Sequence, residues 1–132
     1  MKTLSLLFLI IGSVLPSLAA EPTQPELPKT GVNLERDHGG WLNVVVQDDQ
    51  FVISFYNAKK EPVTADLHHG LVRYAYSENG SDRTVLRRSA DGKTLISPHE
   101  VTPPDIFRVH LALFHEGADD LAETHAFSYK QK

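Results

Sequence analysis

Apolar and polar positions alternate with a period of two along much of this chain, the pattern of strands buried on one face. Leu42, Val44 and Val46 alternate with Asn43 and Gln47, and Phe51, Ile53 and Phe55 alternate with Val52 and Ser54. Asp48-Asp49 between them marks a turn, so the two runs read as a hairpin with one apolar face. After the punctuation of Asn57 to Pro62, further strands are expected over Leu71 to Tyr76, Thr84 to Arg88 and Thr94 to Ser97. Asn79-Gly80 and Asp91-Gly92 supply the turns between them. The strongest strand follows the Pro103-Pro104 break: Phe107, Val109, Leu111 and Leu113 face one way, Arg108, His110 and Ala112 the other. Glu116 to Asp120 is a polar loop, and Thr124 to Tyr129 closes the series. No segment keeps helical spacing.

Seven strands joined by turns give an all-β chain, and the expected architecture is a single immunoglobulin-like antiparallel β-sandwich. A small β-barrel is the alternative. The folded unit is expected over residues 41–132. Residues 20–40 read as a proline-containing tether, since Pro22, Pro25 and Pro28 stand among polar residues that can form neither helix nor ladder.

The first nineteen residues have a different pattern. Lys2 precedes an almost wholly apolar run from Leu4 to Leu15, and Ser17 and Ala19 form the small-x-small pair that a signal peptidase reads. The run is interrupted by Gly12, Ser13 and Pro16, which makes it short for a membrane span of roughly 20 apolar residues. A cleaved secretory leader over residues 1–19 is therefore expected, with a periplasmic or secreted product and no stable membrane insertion. Removing it takes away Lys2 and the chain's one Met, leaving twelve Lys and Arg against seventeen Asp and Glu, a formal charge of −5. That balance disfavours nucleic acid as a partner. The absence of cysteine leaves stability to packing and suits a bacterial envelope.

The run Phe51-Val-Ile-Ser-Phe-Tyr-Asn-Ala-Lys-Lys-Glu-Pro-Val63 resembles the strand-turn-strand of small exported bacterial β-sandwiches, including transthyretin-like and regulatory carboxypeptidase-like modules. The resemblance implies the fold and little about activity. Periplasmic copper carriers share that general architecture, but their sites are typically rich in Met and His, and the mature chain here has no Met.

Signatures of catalysis are missing from the sequence: there is no Gly-x-Ser-x-Gly elbow, no cysteine nucleophile and no glycine-rich phosphate loop. A non-catalytic module that binds an envelope protein, peptide or glycan is the expectation, with no cofactor. If Asn79-Gly80 centres a two- or four-residue loop, Tyr76 faces Arg83, Tyr74 faces Val85 and Val72 faces Arg87. One surface then carries Tyr74, Tyr76, Arg83 and Arg87, rings and guanidinium groups suited to an anionic ligand. Were the tyrosines to pack inward, Arg83 and Arg87 would be charges at the ends of a strand, where they discourage aggregation. The alternative function is zinc or copper binding by loop histidines, for which His38, His68, His69 and His115 are the candidates.

Overall fold

The structure, a computed structural model, describes residues 25–75, 80–98, 100–117 and 120–131. The expected leader, Tyr76 and His99 lie outside the described residues. Nine strands are present among those described: β1 (Val32–Glu35), β2 (Trp41–Gln47), β3 (Gln50–Tyr56), β4 (Pro62–Val63), β5 (His69–Ala75), β6 (Ser81–Arg88), β7 (Thr94–Ile96), β8 (Ile106–Phe114) and β9 (Leu121–Lys130). None of the described residues is helical.

The chain is all-β and antiparallel, but the seven strands in two stacked layers expected of a sandwich do not appear. One continuous sheet runs in the order β1-β2-β3-β7-β6-β5-β8-β9, with β4 added on β3, and it curls until it is nearly closed into a barrel. Alternation specifies a one-sided sheet and does not by itself say whether that sheet stacks on a second or curls on itself. Here the second happens, because inward positions from all around the sheet meet in a single core. Leu42, Val44, Ile53, Phe55, Val72, Leu86, Leu95, Val109, Leu111 and Leu113 are all buried there.

The ends of the barrel differ. At one end Phe51, Tyr74, Phe107 and Tyr129 form an aromatic cluster, with ring centroids 5.2–6.2 Å apart for the contacting pairs. The edge strands β1 and β9 are not laddered to each other. Side chains close the seam instead: the Val46 N–H donates to the Tyr129 hydroxyl at 2.9 Å, and at the opposite end Arg36 reaches Glu123.

The β2–β3 hairpin matches the sequence expectation, and Gln47 pairs with Gln50 around Asp48 and Asp49. Both aspartates have positive φ, 53° and 63°, the type I′ geometry that suits the twist of a two-residue hairpin. The stretch 51–63 forms β3, a turn in which Asn57 Oδ1 accepts the Lys59 and Glu61 amides, and β4. Residues 20–40 are not all tether. Val32 pairs with Val44 and Leu34 with Leu42, so that both pack on the core, and the folded unit begins before Trp41. Two apolar positions in four residues left too short a period to read.

The β5–β6 register departs from expectation. Tyr74 pairs with Asp82, Arg73 with Arg83 and Leu71 with Val85. The Ala75–Ser81 pair leaves an odd number of residues, 76–80, between the strands. An odd displacement exchanges the two faces of a strand. Tyr74 is therefore 4% exposed in the core, against Phe51 and Phe107, and is not part of the proposed surface. The observed register puts Val72, Tyr74 and Leu86 inside and releases Arg73 outward, which avoids burying an unpaired guanidinium. Arg88, on the inward side at the strand's end, donates to the Ala65 and Leu67 carbonyls at 3.0 and 3.2 Å.

Candidate functional site

The register that buries Tyr74 gathers the arginines. On the outer face of the barrel, Arg83 of β6 lies opposite Arg73 of β5, which lies opposite His110 of β8, which lies opposite Ala126 of β9. The neighbouring rows are Val85, Leu71, Ala112 and Thr124 on one side, and Ser81, Ala75, Arg108 and Ser128 on the other. Arg87 and His69 pair beyond the first of these. No outward position in these rows carries a carboxylate, although the chain has seventeen Asp and Glu against thirteen Lys and Arg.

Arg73, Arg83, Arg87 and Arg108 are all exposed, and no described ion pair involves any of them. Between the guanidinium groups the floor is apolar: Leu71 and Ala112 are half-buried, and Val85 is 43% exposed. A cleft of about 390 Å³ runs over this face, with Leu71, Arg73, Arg83, His110 and Ala126 in its lining. Like charges directly opposite each other on a sheet destabilise the pair by a fraction of a kcal/mol. An anion bridging Arg73 and Arg83 reverses that sign, and a planar guanidinium fork suits carboxylate.

A second polar group lies inside the mouth of the barrel. Arg36 continues the inward side of β1 past its last residue, and its Nη2 donates to Glu123 Oε1 at 2.8 Å while Nε contacts both carboxylate oxygens at 3.2 Å. The same guanidinium donates to both oxygens of Asp66 at 3.2 Å and stands 5.4 Å from the centre of the Phe55 ring. His125 Nε2 meets the other Glu123 oxygen at 2.8 Å. Burial alone pushes the Glu123 carboxyl up, but the hydrogen bonds from His125 and Arg36, with their charges, outweigh it and bring the group from 4.5 to about 2. Burial likewise opposes the Arg36 charge, and the bonds to Glu123 and Asp66 overcome it, so that its pKa rises. Each acceptor and donor faces an opposite charge within the group, which marks it as a closure of the barrel.

The candidate metal ligands do not converge as a set. His38 is exposed in the turn before Gly39, and His115 is exposed just past the end of β8. His68 and His69 do meet, with Nδ1 atoms 3.1 Å apart, so one ring donates and the other accepts. His69 also stacks on Phe114 at 4.9 Å. Among the described residues no three His, Cys, Asp or Glu side chains are placed to hold a metal ion.

Of the residues singled out from sequence, Arg83 and Arg87 share the outer face, Tyr74 is inside, and Tyr76 is not described. Arg73, Arg108 and His110 join that face without having been grouped with it. Their signal was present in the alternation of Arg73 with Val72 and Tyr74, and of Arg108 with Phe107 and Val109. Comparison with protein-family models, with characterised proteins and with solved structures gives no match to this chain.

Proposed function

We propose that this chain is a non-catalytic binding protein of the bacterial cell envelope, exported by a leader at residues 1–19, whose partner is an acidic protein, peptide or glycan. The ligand lies on the outer face of β6, β5 and β8. The observation that carries this reading is the row Arg83–Arg73–His110 on a face without carboxylates. Charges on an exposed strand also deter edge-to-edge aggregation, and that role accounts for Arg83 and Arg87 on β6. It does not account for Arg73 or Arg108. β5 is laddered on both sides, to β6 and β8, and β8 to β5 and β9, so neither strand has an edge to guard.

The test measures stability and binding together. Fluorescein-labelled poly-L-glutamate and polygalacturonate are titrated with the leader-free protein by fluorescence anisotropy at low and physiological salt. The wild type is expected to bind one of them, with affinity falling as salt rises. Arg73→Gln combined with Arg83→Gln should weaken that binding at least about tenfold while leaving Tm unchanged or slightly higher, since a repulsive pair has been removed. Binding by the double variant as tight as wild type, or no binding of either polymer, contradicts the reading.

A further inference from the structure

The barrel wall is split beside the cationic face. β6 has eight residues but pairs with β7 at only two of them, Arg87 with Ile96 and Arg88 with Leu95. After Ile96 the chain turns away from β6 and fastens to the β2–β3 hairpin. The Ser97 N–H donates to the Phe51 carbonyl at 3.1 Å, and the Phe51 N–H to Ser97 Oγ at 3.0 Å. Gln50 Nε2 donates to the Ser97 carbonyl at 2.8 Å, and the Val101 N–H to the Asp49 carbonyl at 2.8 Å. Those four bonds hold Ser97 and Val101 against the hairpin, and among the described residues no strand pairs with Ser81–Leu86 on the side away from β5. Among the described residues no backbone hydrogen bond crosses from this part of β6 to residues 97–105.

In an antiparallel pair alternate residues aim both N–H and C=O at the same neighbour, so about half of Ser81–Leu86 present these groups to the gap. A row of such groups is a template for another strand. The gap itself is a groove of about 450 Å³, lined by Tyr74 and Val101, by Asp82, Arg83 and Val85 of β6, and by Pro98, Glu100 and Thr102 across from it. Tyr74 and Val101 are each 4% exposed, so the groove is closed beneath them.

We propose that an extended segment of an acidic partner polypeptide adds to β6 at Ser81–Val85 as a further strand. This rests on the reading of the outer face as a surface for anionic ligands, and it names the class of partner and the way it is held. Charge selects the occupant side by side: Arg83 and Arg73 attract carboxylates on the outer face, while Asp82 and Glu100 exclude them from the inner one. An added strand alternates its side chains between the two faces, so one set lies beside Arg83, with Arg73 in the next row, and the other points to Tyr74 and Val101. Carboxylates alternating with apolar residues fit both sides. A second copy of this edge does not, because pairing about Arg83 sets arginine against arginine and pairing about Asp82 sets aspartate against aspartate. The chain's own residues 20–30 do not, because Pro22, Pro25 and Pro28 lack the N–H groups a ladder needs.

The leader-free protein is titrated with an acetylated Thr-Glu-Val-Glu-Val-Glu-Thr peptide, with the same peptide carrying proline in place of its central valine and glutamate, and with polygalacturonate. Amide hydrogen exchange of β6 is read by NMR in each case. Strand addition is expected to slow exchange at alternate amides within Ser81–Val85 by at least about tenfold and to favour the all-hydrogen-bonding peptide over the proline peptide by a similar factor. Arg83→Gln should weaken the peptide without altering the exchange of β5 or β8. If both peptides bind equally and β6 exchange is unchanged, strand addition is overturned while the anionic surface stands. Preference for polygalacturonate over either peptide overturns the polypeptide as partner. Protection of β6 that grows with protein concentration in the absence of peptide assigns the edge to a second copy and overturns the proposal. If no anionic probe binds at all, both readings fall.

Discussion

Replacing Glu123 by Gln removes the charge that draws Arg36 across the open seam of the barrel, while keeping the shape and two hydrogen-bonding atoms of the side chain. Arg36 and Glu123 are 11% and 14% exposed, and the carboxyl is held at about 2 against an ordinary 4.5. At about 1.4 kcal/mol per pH unit that displacement has an upper bound of about 3 kcal/mol. The hydrogen bond from His125 supplies part of that displacement, water reaches the edge of the pair, and Asp66 still engages the guanidinium, so a loss of about 2 kcal/mol is expected at pH 7. In urea the midpoint of unfolding should fall by about 1 M, and the amides of β1 should exchange faster than those of β5. The pH dependence has a definite sign. The folded state holds this carboxyl ionised more strongly than the unfolded state does. Its contribution is therefore complete above the unfolded value near 4.5 and is lost as pH falls toward about 2. The wild type and Glu123→Gln should differ most near neutrality and converge across that window. Equal stability at pH 7, or a gap that persists unchanged to pH 2, would refute the assignment of the pair as the clamp.

Other predictions concern the opposite end of the seam, the core and the histidines. Tyr129→Phe leaves the Val46 N–H without its partner and should cost about 1 kcal/mol, read by urea unfolding; an unchanged midpoint would mean that the hydroxyl does not bridge β2 and β9. Gly70→Ala places a Cβ 2.9 Å from Leu113 Cδ2 and 3.0 Å from the Ala112 carbonyl oxygen, so a loss of about 1–3 kcal/mol is expected in thermal melts, whereas a stabilised variant would show that β5 and β8 pack less tightly than described. Two imidazoles without a third ligand hold zinc or copper weakly. Dialysed protein should accordingly retain no stoichiometric metal by elemental analysis, and a thermal shift with either ion that His68→Ala abolishes would reverse that conclusion.

The elements that could be read from sequence are those whose signal is local. The β2–β3 hairpin and β8 each set large apolar residues two apart over a full strand, and the adjacent aspartates fix a tight turn. β1 was too short to show a period and acquires its meaning from Val44 and Leu42 across the ladder. The β5–β6 register turned on the parity of one loop, and a displacement of three residues exchanged tyrosine for arginine on the outer face. The clamp was hidden by distance, since Arg36 and Glu123 are 87 positions apart. A trace of it was visible all the same. Glu123 and His125 occupy the same side of β9 as Phe127 and Tyr129, and polar residues on an inward side require partners. The choice between a stacked and a curled sheet depends on how the twist of every strand accumulates, which no single segment records.

The anionic-ligand face is tested most directly by locating the contact of an anionic polymer on the barrel. Chemical-shift mapping of isotope-labelled protein spanning residues 20–132 with poly-L-glutamate reports that contact residue by residue. Perturbations are expected at Arg73, Arg83, Arg108, His110 and Ala112, in the rows that cross β6, β5 and β8. Perturbations confined to the β2–β3 hairpin, or none at saturating polymer in low salt, would contradict it.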